Sequence, residues 1–186
     1  EVLDRFMINK NIPFDLPTQK STFPYKENLG KTDIAAASIG QGKVLVTPLN
    51  MAMVASGIAN KGEVMKPILV KEAISPDGKI IKTFHPEVLS KGTDIFTANE
   101  VKNMMVEVVR RGTGTNAAIK NVRVAGKTGT AENPSGKAHA WFIGFAPADD
   151  PQIAIAVVLE EDGSTGGKTA APIARNIILE ALNTIE

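Results

Sequence analysis

The pattern of apolar and polar positions is clearest in the last third of the chain, where it predicts a β-hairpin followed by a third strand. Val122 and Val124 alternate with other residues as strand residues do, and residues 133–136 (Asn-Pro-Ser-Gly) have the composition of a turn. The aromatic run over residues 139–146 indicates the second strand of the hairpin. Residues 152–161 alternate again and predict a third antiparallel strand.

Two internal segments have the end signals of helices. Thr47 and Pro48 provide an N-cap and a first-turn proline for a helix over residues 48–59, which is apolar nearly all round and therefore buried. Residues 97–100 (Thr-Ala-Asn-Glu) form a capping box for an amphipathic helix, and Gly112 ends it.

Both ends of the chain are also predicted to be helical. Residues 1–9 form one short helix, with an apolar face made by Val2, Leu3 and Phe6. Residues 162–168 form a glycine-rich loop that leads into a last helix over residues 169–182. The side chains predicted to face inward from that helix are Ile173, Ile177, Ile178 and Ala181.

The first half of the chain predicts a long loop and a small hairpin. Residues 11–33 contain prolines, glycines and scattered charges and predict a surface loop, either the rim of a groove or a plain connector. Residues 34–39 are a short apolar run that ends in a tight turn. Residues 65–74 and 79–84 predict a hairpin with a type I turn between its strands.

Composition allows one sizeable core and indicates no charged partner. The 186 residues suit a single domain, and 43% hydrophobic residues, 22% charged residues and a net charge of +1 provide no polybasic surface for nucleic acid. The absence of cysteine excludes disulfides, zinc thiolates and cysteine nucleophiles. No segment approaches the roughly 18 apolar residues of a membrane span. We therefore expect a soluble α+β domain in which an antiparallel sheet packs with helices.

Residues 127–130 (Lys-Thr-Gly-Thr) interrupt the apolar pattern of the first hairpin strand, where packing alone favours larger hydrophobic residues. Thr128 and Thr130 share one face of a strand and Lys127 takes the other, so one ligand contacts all three only along the strand edge. Gly129 has no Cβ and lets an extended peptide approach. Two hydroxyls and an ammonium suit a carboxylate, and a backbone N–H at the edge can face a developing oxyanion.

Taken alone, these four residues also fit an edge strand that a lysine protects from aggregation. Their surroundings favour a functional interpretation. Residues 127–130, followed by residues 141–147 (Trp-Phe-Ile-Gly-Phe-Ala-Pro), resemble the third motif of the penicillin-binding proteins, the serine DD-transpeptidases that cross-link peptidoglycan. Residues 37–42, 112–115 and 166–172 resemble further segments of this family, in the family's order. In particular, the chain resembles the elongation- or sporulation-type monofunctional branch.

The resemblance implies a fold, a reaction and a role for each residue of the motif. In the family a serine attacks the D-Ala-D-Ala carbonyl of a stem peptide, an acyl-enzyme forms, and the amine of a second stem resolves it. By matching positions, Lys127 would direct positive charge toward the nucleophile. Thr128, Gly129 and Thr130 would bind the substrate, with its carboxylate on the two hydroxyls, and the Thr130 N–H would be one oxyanion donor.

The resemblance also implies partners and a location. β-Lactam antibiotics acylate the same serine as the stem peptide, and no cofactor or metal is implied. Members of the family are held to the cytoplasmic membrane and face the cell wall, so a membrane-anchored parent protein is expected. Other cell-wall synthesis proteins would be its macromolecular partners.

Two motifs of the family are missing from this chain. No serine is followed by lysine three residues later or by asparagine two residues later, so Ser-x-x-Lys and Ser-x-Asn are both absent. We therefore expect residues 1–186 to be the C-terminal portion of a single transpeptidase domain, without its nucleophile and inactive in isolation. Two alternatives are a non-catalytic peptidoglycan- or partner-binding module of the same fold and a β-lactamase-like hydrolase or β-lactam sensor.

Other chemistries fit the residue spacing poorly. Residues 166–169 (Gly-Gly-Lys-Thr) lack the first glycine of a Walker A motif, because Asp162 occupies its position. His85 and His139 have no metal-ligand spacing. His139 and Trp141 are interpreted as packing residues of their strand.

Overall fold

The computed structural model describes residues 1–24 and 29–185. Its helices are α1 (Val2–Arg5), α2 (Lys31–Ser38), α3 (Pro48–Ala59), α4 (Ile95–Arg111) and α5 (Ala170–Ile185), with a 3-10 turn at Thr115–Ala117. Its strands are β1 (Glu63–Met65), β2 (Glu72–Ile74), β3 (Ile80–Thr83), β4 (Val88–Lys91), β5 (Ala125–Ala131), β6 (His139–Ala146) and β7 (Ile153–Leu159). This arrangement confirms the predicted α+β class.

The main sheet has three antiparallel strands in the order β5-β6-β7. The hairpin and the third strand are therefore confirmed, although Val122 and Val124 lie before β5 rather than within it. β6 takes the central position, between β5 and β7. Its residues Ala140, Phe142 and Phe145 are fully buried.

The sheet separates two hydrophobic clusters. Phe142 faces the cluster formed with α5, which includes Ala174 and Ile178. Phe145 lies three residues further along, so its side chain points to the opposite face, where it packs with Ala55 of α3 and with α4. β5 and β6 are thus held by packing on both faces.

The helix over residues 48–59 forms as predicted, with the Thr47 side chain accepting a hydrogen bond from the Asn50 N–H at 3.2 Å. The prediction for the next helix is wrong at its start. Asp94, not Thr97, is the N-cap of α4, and its carboxylate accepts bonds from the Thr97 N–H at 2.9 Å and the Thr97 hydroxyl at 2.7 Å. These bonds hold the pKa of Asp94 below its usual value.

The inward face of α5 differs from the predicted one. Ile178 is buried, but Ile173 and Ile177 are 39% and 46% exposed. The face that meets the sheet is instead made by the buried residues Ala170, Ala171, Ala174 and Ile178. Alanines allow the helix axis to approach the sheet closely, so small residues make up most of the inward face, while Ile173 and Ile177 remain partly exposed.

The N-terminal region departs most from the prediction. α1 ends at Arg5, because Met7 and Asn9 adopt positive φ angles that end a helix, and the predicted face residues Val2 and Leu3 are exposed. A helix, α2, forms where the end of the surface loop and the apolar run were expected. Gly30 precedes it and donates its N–H to the Asp33 carboxylate at 3.3 Å. Residues 25–28 of the predicted loop lie outside the described residues.

Two small hairpin-like sheets complete the fold. β2 and β3 pair as predicted but are only three and four residues long. β1 pairs with β4, with Glu63 opposite Lys91, and this pairing was not predicted because its partners are distant in sequence. Within the described ranges, none of the helices is long and apolar enough to cross a bilayer.

Candidate active site

β5 lies at the edge of the main sheet and carries the four predicted site residues. It pairs with β6 on one side, and no described strand pairs with its other side. The Gln41 side chain bonds to the Thr130 carbonyl and the Glu132 N–H from that open side. Because backbone groups of alternate residues point the same way in an antiparallel strand, the N–H and C=O of Thr128 also face outward. A ligand therefore has main-chain partners along this edge.

The polar side chains of the motif gather at the same edge. Lys127 is exposed, and its ammonium donates to the Thr128 carbonyl at 2.5 Å. Thr128 is half-buried, and its hydroxyl shares a 2.6 Å hydrogen bond with the hydroxyl of Thr113. Thr130 is exposed and follows Thr128 on the same face. Two hydroxyls and one ammonium are thus presented to a single small region.

A cleft of about 200 Å³ lies along this edge. All four predicted site residues line it, together with Ala131 and with the segment between α2 and α3. The remaining lining residues are Ile39, Gly40, Gln41, Val46, Met51, Trp141 and Ile143. No serine belongs to the lining in the part of the chain that the structure describes. The described lining of the cleft thus presents hydroxyl and ammonium groups but no hydroxyl nucleophile of the Ser-x-x-Lys type.

Gly129 lies opposite Trp141 in the hairpin. A Cβ at Gly129 would stand 3.1 Å from the Cβ of Trp141, which is closer than side chains normally pack. The glycine therefore lets Trp141 close one side of the cleft. Trp141 packs within the hairpin as interpreted from sequence and also lines the cleft.

The loop before α5 packs against the hairpin near Thr128. A Cβ at Gly166 would overlap the Trp141 carbonyl and lie 2.5 Å from the Gly129 carbonyl, so only glycine fits there. The next residue, Gly167, accepts a hydrogen bond from the Asn116 side chain at 2.8 Å. The loop consequently supports the Thr128 face of β5 and does not line the cleft itself.

Three residues at the site received no role from the sequence. Thr113 bonds to the Thr128 hydroxyl, Asn116 to the loop before α5, and Gln41 to β5. Gln41 lies 89 residues from its partner, so local patterns of apolar and polar positions contain no trace of the contact. The only signal was that Gln41 and Thr113 belong to segments that resemble the family.

His139 makes a structural hydrogen bond at the start of β6. Its Nδ1 accepts the Glu161 N–H at 2.9 Å, which ties the start of β6 to the end of β7. No group of three or more His, Asp or Glu residues among the described residues could hold a metal ion.

The clearest shifts in carboxyl pKa lie away from the cleft. Hydrogen bonds from Arg110 lower the pKa of Glu107, and a hydrogen bond from Lys79 lowers that of Asp77. Neither residue lines the cleft.

Comparison with known proteins identifies the family. The family model for the penicillin binding protein transpeptidase domain matches residues 1–179. The chain belongs to this family. The motif of residues 127–130 and the segments that resembled the family at the level of sequence all lie within the matched range.

Curated relatives of this family are much longer than the chain. Peptidoglycan D,D-transpeptidase PbpA of Mycolicibacterium smegmatis is 41% identical over 157 residues, which cover 80% of this chain and 32% of the relative. Stage V sporulation protein D of Bacillus subtilis is 35% identical over 166 residues, which cover 84% of this chain and 26% of the relative. The chain thus spans about a third or less of the length of these proteins.

Solved structures have the same fold. Penicillin-binding protein A from M. tuberculosis, solved as an imipenem acyl-enzyme complex, matches 97% of this chain with a TM-score of 0.88 and 34% identity, and 41% of that protein is covered. The D,D-transpeptidase domain of a peptidoglycan glycosyltransferase from Eggerthella lenta matches 98% of this chain with a TM-score of 0.87 and 36% identity, and 46% of it is covered. The antiparallel sheet with helices on both faces is therefore the architecture of penicillin-binding protein transpeptidases.

Proposed function

We propose that residues 1–186 form the C-terminal part of a serine D,D-transpeptidase domain and supply one wall of its active site. The observation that carries this proposal is the open edge of β5, where Lys127, Thr128 and Thr130 line a cleft of about 200 Å³. The curated relatives are three or more times longer than the matched segment, which leaves room for a nucleophile in sequence that this chain lacks.

In the proposed reaction, an extended stem peptide lies along the open edge of β5 by strand addition. Its terminal carboxylate accepts hydrogen bonds from the hydroxyls of Thr128 and Thr130, with the Lys127 ammonium nearby, and such bonds to a charged group are the strong ones. The scissile carbonyl then lies beside the Thr130 N–H, which faces the open side and can donate to the oxyanion as it forms.

The covalent steps use a serine supplied by the rest of the domain. Its oxygen bonds to the penultimate D-Ala carbonyl carbon, the amide C–N bond breaks, and the terminal D-Ala leaves with a proton. The amine of a second stem peptide then attacks the carbonyl carbon of the ester and releases the serine hydroxyl. The new amide bond between the two stem peptides is the cross-link. Lys127 would contribute positive charge toward the serine and its Ser-x-Asn partner in both steps.

β-Lactams would enter the same reaction as acyl donors. Their carboxylate would occupy the site of the peptide carboxylate, and opening of the lactam ring would leave a stable ester on the serine. The M. tuberculosis relative was solved as imipenem and penicillin G acyl-enzymes, which supports this part of the proposal. A membrane-anchored parent protein that faces the cell wall and acts with other cell-wall synthesis proteins completes the proposal.

Labelling of the full-length protein with a fluorescent penicillin tests this function. We expect a covalent adduct that survives denaturation and that excess unlabelled penicillin prevents. A protein that forms no adduct under any condition would contradict the transpeptidase proposal and favour a binding module. Fast release of hydrolysed penicillin would instead identify a hydrolase of the same fold.

A further inference from the structure

Gln41 makes two hydrogen bonds, one to β5 and one to the residue that follows β5, and together they imitate a neighbouring strand. Its Nε2 donates to the Thr130 carbonyl at 3.1 Å, and its Oε1 accepts from the Glu132 N–H at 3.2 Å. A residue of an adjacent parallel strand would bond to the same pair of outward groups, a carbonyl and the N–H two residues further on. One carboxamide thus closes the open edge of β5 directly after Thr130.

The backbone around Gln41 is itself fixed by the end of α2. The Gln41 N–H donates to the Ala36 carbonyl at 2.9 Å, and the Gly40 N–H donates to the Ala37 carbonyl at 3.0 Å. Gly40 and Gly42 have φ angles of +74° and +70°, a region that favours glycine. The loop therefore holds the half-buried Gln41 side chain against the strand rather than leaving it free in solvent.

The bond from Gln41 restrains Thr130, which has two roles in the proposed chemistry. The Thr130 N–H is the proposed oxyanion donor, and its hydroxyl is a proposed carboxylate ligand. Beyond Thr130, the chain passes into the exposed turn that follows β5, and pairing with β6 and the bonds to Gln41 restrain the strand there. A carbonyl oxygen has two lone pairs, so Thr130 can accept from Gln41 and still accept from a bound peptide.

We propose that Gln41 is a positioning residue of the transpeptidase reaction, which clamps the end of β5 so that the Thr130 N–H and hydroxyl keep the orientation that acylation requires. This inference rests on the proposed function. It also assigns a limit to the ligand: a peptide added to the edge can bond to Thr128 and Thr130, but the Glu132 N–H is already engaged by the carboxamide.

The test measures the second-order rate constant for acylation of the full-length protein by a fluorescent penicillin. Gln41→Ala removes both bonds, and we expect its rate constant to fall roughly 10- to 100-fold, the range associated with misplacement of a reacting group by about 1 Å. Gln152→Ala is the matched control. Gln152 lies in the turn between β6 and β7, where it makes a comparable 3.3 Å bond to the Asp150 carbonyl, and we expect its variant to react at the wild-type rate.

Gln41→Glu separates positioning from simple loss of stability. Near neutral pH its carboxylate can accept from the Glu132 N–H but cannot donate to the Thr130 carbonyl, so acylation should be slow. As the pH falls toward the ordinary glutamate pKa of about 4.3, the protonated carboxyl regains a donor. The rate of Gln41→Glu relative to wild type should therefore rise on acidification, while the relative rate of Gln41→Ala stays flat. The neighbouring charged residues Lys127, Glu132 and Lys43 are the same in all variants.

The outcomes distinguish this inference from the proposed function. If wild type and Gln152→Ala form no adduct, the proposed function is wrong, and the inference fails with it. If wild type reacts and Gln41→Ala reacts at the same rate, only the role of Gln41 is wrong. If Gln41→Ala loses its cooperative thermal unfolding, the pH profile of Gln41→Glu tests the inference instead. A ratio of the Gln41→Glu rate to the wild-type rate that does not change with pH overturns it.

Discussion

Substitution of Gly166 by alanine tests how the loop before α5 supports the active-site strand. A Cβ at this position would lie 2.5 Å from the Gly129 carbonyl oxygen and closer still to that of Trp141. A carbon normally stays about 3.3 Å from a carbonyl oxygen, so the loop must move by roughly 0.8 Å or more. Both partners are backbone atoms of the hairpin and cannot rotate away as a flexible side chain does.

Two effects should follow from this displacement. Overpacking of this kind costs about 1–3 kcal/mol, so the melting temperature of the full-length protein should fall by several degrees. The loop also lies against Thr128, because a Cβ at Gly167 would stand 3.6 Å from the Thr128 methyl group. A shift of this size should slow acylation by a fluorescent penicillin roughly tenfold or more.

Gly30→Ala is the matched control for this substitution. Gly30 has a φ of −68°, and the one described neighbour that its Cβ would meet within 4 Å is an Asp33 carboxylate oxygen at 3.8 Å. The Gly30→Ala variant should have nearly the melting temperature and the acylation rate of the wild type. If Gly166→Ala behaves like Gly30→Ala in both measurements, the close packing of the loop on the hairpin does not support the site, and the reasoning is refuted.

Three further predictions concern the site, the core and a helix cap of the full-length protein. Thr128→Val keeps the side-chain shape but removes one hydroxyl, and acylation by a carboxylate-bearing penicillin should slow roughly 10- to 100-fold because hydrogen bonds to charged groups contribute about 1.5–3 kcal/mol. Phe142→Ala empties a fully buried position between β6 and α5 and should lower the free energy of unfolding by about 3–5 kcal/mol in urea denaturation. Asp94→Ala removes the α4 cap and should lower the melting temperature at neutral pH. Because the pKa of Asp94 is lowered in the folded state, its stabilisation is present above the unfolded pKa and is lost as the pH falls, so the difference from wild type should shrink in acid.

Each of these predictions has a clear contrary result. Equal acylation rates for wild type and Thr128→Val would remove that hydroxyl from the carboxylate site, and Thr130→Val offers the direct comparison. An unchanged urea midpoint for Phe142→Ala would mean that its cluster does not support the sheet. A melting-temperature difference for Asp94→Ala that is constant from neutral to acid pH would show that the charge of the cap has no role.

The elements that could be predicted have local signals. Thr47 and Pro48 define the start of α3 within two residues, and the alternating residues of β6 and β7 require no information from elsewhere in the chain. β1 and β4 were missed as a pair because their residues lie more than twenty positions apart. The inward face of α5 was misjudged because a hydrophobicity pattern favours isoleucine over alanine, whereas close packing on the sheet favours the smaller residue.

The residues of the candidate site also divide into those that have a local signal in the sequence and those that have none. Residues 127–130 were found because polar residues and a glycine stand out in an apolar strand, and the structure brings all four to one cleft. Gln41, Thr113 and Asn116 act through contacts with distant segments, and each is an ordinary polar residue in a loop or turn. Only a folded chain reveals that their side chains converge on β5 and on the loop that supports it.

The most direct test of the central claim is a crystal structure of the full-length protein after reaction with penicillin G. The account predicts an ester to a serine outside residues 1–186, with the acyl carbonyl oxygen within hydrogen-bond distance of the Thr130 N–H and the ligand carboxylate on the hydroxyls of Thr128 and Thr130. An adduct whose carboxylate points to solvent, or one bound away from the open edge of β5, would contradict it.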